Sequence, residues 1–481
     1  MNKIKILFVA SEAAPFIKSG GLGDVAGSLP KALADLGAEV LVVLPMHKNL
    51  NREHLTDLRH VDSMEVVMGA TSYGFGLYTI SANVPTYFIA NQDFFNRDGL
   101  YGYDDDAQRY AFFTKAALSM LPSIDFQPDI IHFNDWQTGL GSLYLKDDFQ
   151  KFTFYKDIRS IFTIHNLQYQ GIFGDHVLSH LGLNHNCFTA DKLEFYGNIS
   201  FMKAGLKYAD FVTTVSPTYA NEIQTSQYGY GLEGVLSQQK DQLLGILNGI
   251  DYDEYNPQTS KDIAFNFNVD NLAGKTKNKA HLQKMLGLPV RDDVPLFAVV
   301  SRLAEQKGLD LIPAILGDFI SNKDIQLVFL GNGEHHFEQM IAHAAHAHPD
   351  KINANIKFDA KLAHQYYAGA DFFLMPSLFE PCGLSQLMAM RYGAIPVVRK
   401  TGGLADTVTP FNPKTGEGRG VIFENYDFGG IAWATEQAIH LYSDQDNFQK
   451  ARKNAMKADF SWENSAKEYI RLYEKLNDNT K

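Results

Sequence analysis

A short segment near the start of the chain combines a lysine with several glycines. Residues 18–24 hold Lys18, Gly20 and Gly21 and lie between the apolar run 4–10 and an amphipathic stretch. This order predicts a buried strand, a glycine-rich loop and a helix. Glycine lets backbone N–H groups approach a ligand closely, a helix N-terminus attracts anions, and the lysine adds a full positive charge. The segment therefore predicts an anion-binding loop, although many α/β domains have a glycine-rich first turn.

Two further cations lie close together in the later half of the chain. Arg302 and Lys307 follow a predicted strand at 295–300 and open a predicted helix. Ligands of open α/β sheets bind at the carboxyl ends of the strands. Arginine offers a planar fork for phosphate oxygens and lysine a compact charge, so the two can converge on a diphosphate. The alternative is a pair of surface cations matched with Glu305 and Asp310.

A carboxylate follows another predicted strand in the same half. Glu380 comes after the apolar run 371–375 and near the start of the next predicted helix. It can cap that helix, or it can bind sugar hydroxyls and oppose positive charge at a reacting carbon. The backbone N–H groups of Cys382 and Gly383, with the Ser385 hydroxyl, can hold a further oxygen. We expect Cys382 to be a packing residue, because no base that would activate it is evident nearby.

Polar side chains also follow two predicted strands in the first half. His165 and Asn166 come after the run 160–164, and Asp135 comes after the run 129–133. Polar side chains grouped at the ends of two strands can bind the hydroxyls of a sugar. The alternative is a structural role, with the histidine as a hydrogen-bonding group and the aspartate as a helix cap.

Several histidines between 335 and 348 suggest a metal site. His336, His343 and His346 can share one helix face. The segment is rich in alanine and has no accompanying carboxylate pattern, so we expect no metal there.

Short apolar runs, such as 394–398, alternate with helical patterns, such as 137–149 and 305–320, in two series along the chain. This alternation predicts two mostly parallel, doubly wound sheets of the α/β class. A second glycine pair at 402–403 repeats the first glycine loop, which suggests two domains that face one site. The stretch 241–275 is polar and turn-rich, and we place a hinge near Asn248. The predicted divisions are an N-terminal domain at 1–247, a C-terminal domain at 248–458, and a helix at 459–481 that crosses back to the first domain.

Composition limits the class of partner. The chain has 481 residues, of which 45% are hydrophobic and 20% charged, and its net charge is −12. A negative net charge argues against nucleic acid or an anionic membrane as the main partner. It does not oppose the binding of a neutral polysaccharide. The two cysteines, the short apolar run at the start, and the lack of an apolar stretch of about 20 residues predict a cytoplasmic protein.

Taken together, these motifs resemble those of the bacterial and plant glycogen/starch synthases. That family consists of retaining glucosyltransferases with two Rossmann-like doubly wound domains facing a deep interdomain cleft, the GT-B architecture. The likeness covers essentially the whole chain, through motifs at 18–24, 99–103, 132–139, 163–171, 215–217, 247–251, 301–308, 379–386 and 401–408.

The resemblance implies transfer of glucose from ADP-glucose to the nonreducing end of an α-1,4-glucan, with ADP released and no metal or other cofactor. It implies a catalytic set of Glu380, Arg302, Lys307 and His165. It also implies substrate contacts from Lys18, Gly20, Gly21, Asp24, Asp135, Asn166, Asn248, Phe358, Cys382, Gly383, Leu384 and Ser385. The N-terminal domain would serve the acceptor and the C-terminal domain the nucleotide-sugar donor. Oligomeric state is not indicated.

Three positions depart from the family pattern. Phe358 stands where relatives often carry a tyrosine that stacks on adenine, Ser385 where threonine is common, and Gly23 where alanine is frequent. The first change keeps an aromatic face and loses a hydroxyl; we expect the last to be mild.

Three other activities compete with this interpretation. The Lys-x-Gly-Gly-Leu loop favours ADP-glucose over UDP-glucose, yet a UDP-glucose-dependent relative has the same fold. A non-catalytic glucan-binding relative is expected to lose the set Arg302, Lys307 and Glu380, which is present here. An α-glucan phosphorylase lacks support because no lysine context for pyridoxal phosphate is recognised. No second carboxylate suggests a nucleophile, which favours attack of the acceptor on the face that the diphosphate leaves.

Overall fold

The structure is a computed structural model and describes residues 3–478. Internal contacts divide the chain into two compact units, of which one runs to Gly249 and resumes at Trp462 and the other is Ile250–Ser461. The sequence places its boundaries at 247/248 and 458/459. These divisions lie within a few residues of each other.

The first unit contains a long mixed sheet and a small one. Its strands are β1 Lys5–Val9, β2 Glu39–Pro45, β3 Arg59–Met68, β4 Thr71–Ile80, β5 Thr86–Ala90, β6 Ile130–Asn134, β7 Arg159–Ile164, β8 Ile172–Gly174, β9 Glu194–Phe195, β10 Asn198–Ser200, β11 Phe211–Thr214 and β12 Leu243–Gly245. Its helices before the second unit are α1 Gly21–Asp35, α2 Gln92–Phe95, α3 Asp106–Ser119, α4 Gly141–Tyr144, α5 Phe201–Tyr208, α6 Pro217–Glu222 and α7 Glu233–Gln238.

Within the described residues, the long sheet has nine strands in the order β12-β11-β7-β6-β1-β2-β5-β4-β3. The strands from β12 to β5 run parallel, and β4 is antiparallel to both β5 and β3. The carboxyl ends of β1, β6, β7 and β12 therefore meet at one edge, where the polar residues that follow them lie. The small sheet, in the order β8-β10-β9, is antiparallel.

The second unit is a parallel sheet covered by helices on both faces. Its strands are β13 Leu296–Val300, β14 Gln326–Leu330, β15 Ile352–Asn355, β16 Phe372–Met375, β17 Ile395–Arg399 and β18 Val421–Phe423. Its helices are α8 Ala273–Met285, α9 Pro313–Leu316, α10 Asp318–Asn322, α11 His335–Ala347, α12 Ala360–Gly369, α13 Ser385–Arg391, α14 Gly402–Thr407, α15 Phe428–Ser443 and α16 Gln445–Lys457. Its described strands lie in the order β15-β14-β13-β16-β17-β18.

Strand β13 shows why this sheet is doubly wound. Phe297 and Val299 belong to one core cluster, and Leu296 and Ala298 belong to the other. Successive side chains of a strand point to opposite faces, so both faces are apolar and both need helices to cover them.

The last helix, α17 Trp462–Asp478, packs into the core of the first unit. Trp462, Tyr469 and Tyr473 are buried in the same cluster as Leu29 of α1. The Tyr473 hydroxyl lies 2.8 Å from Nδ1 of His132 in the sheet.

Two predicted helices differ from the structure. The helix expected at 137–149 is divided into a 3₁₀ turn at Trp136–Thr138, α4, and a π turn at Leu145–Phe149. The helix expected at 305–320 is a series of short turns. Gly308 interrupts it with φ 74°, and Pro313 begins a new turn. None of the described helices is long and apolar enough to cross a membrane.

Candidate functional site

The loop between β1 and α1 leaves a helix N-terminus accessible. Helix α1 begins at Gly21, and its cap residue Gly20 is extended and provides no side-chain cap. A Cβ atom added to either glycine would meet no other heavy atom within 4 Å. Both glycines are exposed, so an anion can approach the start of α1 without meeting a side chain there.

Charged side chains surround this loop. Lys18 Nζ lies 2.7 Å from Asp24 Oδ1, and both side chains are partly exposed. The buried carboxylate of Glu12 accepts a hydrogen bond from the backbone N–H of Ser19. Burial raises the pKa of Glu12, and its hydrogen bonds with Ser19 oppose that rise. The sequence analysis missed Glu12, although its place just beyond a predicted strand is the signal that identified Asp135 and His165.

The third glycine of the loop is tightly packed. A Cβ atom at Gly23 would lie 2.4 Å from the Cβ atom of Lys18, so alanine there would force the loop that carries Lys18 to move. That glycine in place of alanine has a mild effect here remains a prediction, and the local packing shows only that this loop is fitted to glycine.

Asp135 and His165 lie side by side at the ends of β6 and β7. Asp135 has the left-handed φ of 55°, and its Oδ1 accepts the backbone N–H of His165 at 2.8 Å and that of Asn166 at 3.5 Å. Burial raises the pKa of Asp135 to about 7, and these two hydrogen bonds hold it lower than burial alone would. The strained backbone and the shifted pKa mark this corner as a candidate site.

Asn134 fixes the tautomer of His165. Its Nδ2 donates to the carbonyl oxygens of Val9 and His132, at 3.0 and 3.2 Å, so its Oδ1 is the atom that faces His165 Nε2 at 2.9 Å. His165 Nε2 must then carry the hydrogen, which leaves Nδ1 as an acceptor. Burial lowers the pKa of His165 to about 3, so the ring is neutral at neutral pH. The sequence analysis missed Asn134.

Two asparagines complete the polar edge of the first unit. Asn166 Oδ1 accepts the backbone N–H of Gln168 at 3.0 Å, so this side chain closes its own turn. Asn248, which follows β12, is buried, and its Oδ1 has no hydrogen-bond partner among the described residues. A buried acceptor left in this state is suited to a ligand hydroxyl.

In the second unit, the structure brings Lys307 and Glu380 together. Lys307 Nζ lies 2.6 Å from Glu380 Oε2, and the Ser377 hydroxyl donates to the same oxygen at 3.1 Å. Glu380 is buried, whereas Arg302 is exposed and its Nη2 lies 3.4 Å from Gln306 Oε1.

The alternative pairing of these cations is not observed. Among the described residues, no ion pair joins Arg302 or Lys307 to Glu305 or Asp310. Asp310 instead accepts the Tyr426 hydroxyl at 2.5 Å.

The glycine pair at 402–403 differs from the first glycine loop. A Cβ atom at Gly402 would lie 1.9 Å from the carbonyl oxygen of Glu380, and one at Gly403 would lie 2.1 Å from that of Cys382. Gly403 N also donates to Glu380 O at 3.1 Å. This pair therefore supports the loop that carries Glu380. The order of strand, glycine pair and helix is repeated as the sequence suggests, in β17 and α14, but the second pair is packed against backbone and the first is not.

The residues after Glu380 lead into α13. Cys382 is buried, whereas Gly383, Leu384 and Ser385 are partly exposed, and Leu384 caps the helix without a side-chain hydrogen bond. Phe358 follows β15 at the same edge of the sheet and is 77% exposed, so one ring face is available for stacking.

The histidine-rich segment forms α11, which carries most of its histidines on the surface. Within residues 3–478, no group of three or more His, Cys, Asp or Glu side chains is placed to hold a metal ion.

Two family models match the chain. One described as Starch synthase catalytic domain matches residues 5–238, and one described as Glycosyl transferases group 1 matches residues 285–455. The curated glycogen synthase of Desulforamulus reducens is 49% identical over 475 residues, covering 98% of this chain and 99% of the relative. That of Alkaliphilus metalliredigens is 47% identical over 475 residues, covering 98% of this chain and 100% of the relative.

Solved structures show the same likeness. The catalytic domain of starch synthase IV from Arabidopsis thaliana, bound to ADP and acarbose, matches with a TM-score of 0.93 at 34% identity, over 99% of this chain and 100% of that chain. Sucrose-phosphate synthase from Thermosynechococcus elongatus matches with a TM-score of 0.61 at 19% identity, over 99% of this chain and 100% of that chain, and shows the fold alone.

Proposed function

This chain belongs to the glycogen and starch synthase family, and we propose that it transfers glucose from ADP-glucose to the nonreducing end of an α-1,4-glucan, releasing ADP. It is a glycosyltransferase, and the GT-B fold expected from the sequence is confirmed by the likeness to starch synthase IV. The observation that carries the proposal is the contact of Lys307 with Glu380 beside the exposed Arg302. Nearly full-length identity to glycogen synthases supports the choice of substrate class.

We assign the diphosphate of the donor to the cations of the second unit. Among residues 3–478, Arg302 has no ion pair and one long contact, with Gln306 at 3.4 Å, so its guanidinium can bind phosphate oxygens at little cost. Lys307 is already paired, and it can share its charge between Glu380 and the diphosphate. Both cations stabilise the negative charge that develops as the bond from glucose C1 to the diphosphate oxygen breaks.

We assign Glu380 to the glucose hydroxyls and to the positive charge that builds at C1. Its burial and its hydrogen bond from Ser377 fix the carboxylate in one place, which supports such a role. The N–H groups of Cys382 and Gly383, with Leu384 and Ser385 at the start of α13, complete our proposed donor contacts, and Phe358 stacks on adenine.

We assign the sugar contacts of the first unit to His165, Asp135, Asn166 and Asn248. The unprotonated Nδ1 of His165 and the unpartnered Oδ1 of Asn248 both suit hydroxyl donors. Asp135 holds the His165 backbone through Oδ1, and we assign its Oδ2 to the substrate.

Lys18, Gly20, Gly21 and Asp24 are assigned to the diphosphate or glucose end of the donor. The open N-terminus of α1 supports this assignment. Since Lys18 is paired with Asp24 here, a phosphate would have to compete with that carboxylate.

The proposed bond changes are balanced without a cofactor. The acceptor 4-hydroxyl oxygen bonds to C1 on the face that the diphosphate leaves, and its proton passes to the leaving phosphate oxygen. The configuration at C1 is thereby retained. We also propose a cytoplasmic location, which the low cysteine count favours.

A donor panel tests the proposal. Purified protein is assayed with glycogen and ADP-, UDP- or GDP-glucose, and release of the nucleoside diphosphate is measured. We expect the highest kcat/KM with ADP-glucose. A higher kcat/KM with UDP-glucose would show that the donor is UDP-glucose and not ADP-glucose. Glycogen binding without turnover on any donor would favour a non-catalytic glucan-binding protein.

A further inference from the structure

A buried glutamine connects the loop that carries Glu380 to the interior of the second unit. Gln386 lies in the first turn of α13 and is fully buried. Its Nε2 donates to the carbonyl oxygens of Cys382 and Gly383, at 3.1 and 2.9 Å. Only the nitrogen of an amide can donate to carbonyl oxygens, so these contacts fix which end of the side chain faces the loop. The proposed chemistry assigns this side chain no role.

A threonine on the next helix joins the same network. Nε2 of Gln386 also lies 3.2 Å from Oγ1 of Thr407 on α14, and the Thr407 hydroxyl donates to the carbonyl oxygen of Gly403 at 2.6 Å. Gly403 in turn donates its N–H to the carbonyl oxygen of Glu380 at 3.1 Å. Thr407 is fully buried, as Gln386 is. One connected series of hydrogen bonds therefore holds the loop at Glu380 and again at 382–383.

The direction of the loop carbonyl groups decides where the neighbouring N–H groups point. In a planar trans peptide the C=O and N–H bonds point in opposite directions. Gln386 holds the carbonyl groups of Cys382 and Gly383 on its own side. The N–H groups that share those peptide planes belong to Gly383 and Leu384, and they point away from Gln386. No described residue accepts a hydrogen bond from either N–H, and both residues are partly exposed, so the two groups are available to a ligand.

The backbone at Gly383 is suited to this arrangement. Its φ of 72° lies in the left-handed region, which glycine adopts freely. A Cβ atom there would lie 2.4 Å from Oε1 of Gln386, so the glutamine packs directly against the glycine. Leu384 follows in the right-handed region, with φ −113° and ψ −32°. Successive residues of opposite hand bring their N–H groups to one side, where they can bind an anion together.

The glutamine also carries a cost that an apolar side chain would avoid. Oε1 of Gln386 is buried, and no described residue donates to it. A buried acceptor without a partner lowers the stability of a fold. What the side chain provides in return is the donation from Nε2 to the loop.

We propose that Gln386 and Thr407 are positioning residues, which hold the N–H groups of Gly383 and Leu384 toward the diphosphate of the donor. The inference rests on the proposed function for the identity of that ligand. Neither buried side chain contacts the donor itself. Negative charge on the diphosphate grows as its bond to glucose breaks, so N–H groups fixed in advance stabilise the transition state more than the ground state.

Two shape-conserving substitutions test the proposal in the full-length protein. Gln386→Met removes all three contacts of Nε2, and Thr407→Val removes only the hydroxyl that links α14 to Gln386. Thr407→Ser keeps that hydroxyl and is the conservative variant. The dissociation constant for ADP is measured by calorimetry, together with kcat, the KM for each substrate and the melting temperature.

The second unit offers a matched control for each position. Gln283 is a buried glutamine of α8, and its Nε2 donates to the carbonyl oxygen of Arg291 at 2.8 Å. Thr435 is fully buried on α15 and donates to the carbonyl oxygen of Ile431 at 2.8 Å, four residues earlier in its helix, as Thr407 does in α14. Gln283→Met and Thr435→Val therefore remove comparable hydrogen bonds away from the loop before α13.

We expect Gln386→Met and Thr407→Val to weaken ADP binding by about threefold to tenfold and to lower kcat by about tenfold, because the N–H groups are no longer held in place. The KM for glycogen should stay within about twofold of the wild-type value. Thr407→Ser and both control variants should bind ADP as the wild type does, whatever their melting temperatures.

Wild-type ADP affinity and kcat in Gln386→Met and Thr407→Val would overturn the proposal. An equal loss of ADP affinity in the control variants would also overturn it, since the effect would then follow stability alone. If Gln386→Met does not fold, the comparison of Thr407→Val with Thr407→Ser decides.

ADP binding also separates this proposal from the proposed function. If the wild type binds ADP but releases none from ADP-glucose with glycogen, the proposed function fails, and the positioning role is judged by the ADP affinities of the variants. A wild type that does not bind ADP would overturn both.

Discussion

The pairing of Lys307 with Glu380 sets the charge balance of the proposed donor site. At 2.6 Å each group neutralises the other before a donor arrives, while Arg302 remains exposed. A diphosphate therefore meets Arg302 as the readily available cation and must share Lys307 with a buried carboxylate. Lysine at this position is suited to the developing charge of the leaving group, because it gains most when that charge is largest.

Replacing Lys307 tests this balance. We expect Lys307→Ala to lower the turnover number by about 10²- to 10³-fold, because one of two cations that face the leaving diphosphate is lost. ADP release with saturating ADP-glucose and glycogen measures the effect, and a melting curve confirms that the variant is folded. Lys323→Ala is the matched control in the same unit, since Lys323 pairs with Glu436 at the surface at 2.5 Å. Wild-type turnover in folded Lys307→Ala would rule out its assigned role.

Asp135 should show a conflict between stability and activity. Burial raises its pKa to about 7 from an ordinary value of 3.8, so the folded protein binds this proton more tightly than the unfolded chain. The free energy of unfolding therefore falls as pH rises from about 4 to 7. Above pH 7 the carboxylate is ionised, and Asp135 causes no further fall. Asparagine can keep the left-handed φ and the acceptor oxygen without the buried charge.

We accordingly expect Asp135→Asn to melt at a higher temperature than the wild type at pH 8, with the difference shrinking toward pH 4. We also expect it to lose most of its transferase activity. Asp125→Asn is the control, because Asp125 has a similar φ of 51° and is exposed. A lower melting temperature for Asp135→Asn at pH 8 would contradict the assigned cost of the buried charge.

At the scale of elements, the two glycine pairs look alike in sequence and differ in the structure. Gly20 and Gly21 face open space, whereas Gly402 and Gly403 press against the backbone of the loop that carries Glu380. The difference depends on the backbone atoms of Glu380 and Cys382, which lie more than twenty residues earlier in the chain. A local pattern predicts a turn at both places, and it cannot predict what that turn touches.

Alanine substitution should separate packing from backbone strain. At Gly402 (φ 43°) a Cβ atom would lie 1.9 Å from Glu380 O, whereas at Gly416 (φ 73°) it would meet only Lys450 Cδ at 3.6 Å. We expect Gly402→Ala to lower the free energy of unfolding by about 1–3 kcal/mol more than Gly416→Ala does, and to reduce turnover through displacement of Glu380. Chemical denaturation and ADP release measure both effects. Equal losses in the two variants would show that the close packing has no consequence.

The elements that the sequence predicted best are those with the simplest physical signal. Apolar runs such as 295–300 and 394–398 became buried parallel strands, because such strands are covered on both faces. The helix at 305–320 was wrong because Gly308 and Pro313 break the hydrogen-bond pattern that its apolar spacing suggests. The hairpin of β3 and β4 was not predicted, although more buried and more exposed residues alternate over 64–68 in β3 and over 73–77 in β4.

At the scale of the whole molecule, the order of elements along the chain carries most of the predictable information. The two rounds of alternating strands and helices predicted two doubly wound units, and the likeness to starch synthase IV confirms that architecture. The residues missed at the candidate site, Glu12 and Asn134, act through contacts with Ser19 and His165. The place of Glu12 just beyond a predicted strand was a usable signal, whereas neither contact can be read from spacing.

The last helix shows how distant parts of the chain support one unit. Helix α17 packs with α1, and Tyr473 reaches His132, whose Nε2 lies 2.5 Å from Thr163 Oγ1 on β7. His165 follows that strand directly. The C-terminal segment thus stabilises the sheet whose edge holds the proposed sugar contacts.

The most direct test of the account is the stoichiometry and linkage of the product. Wild-type protein is incubated with ¹³C-labelled ADP-glucose and maltotriose, and ADP and the oligosaccharide are followed together by NMR. The account predicts one ADP for each glucose added, and every new linkage α-1,4 at the nonreducing end. Release of ADP without glucan growth, or a β-linked product, would contradict it.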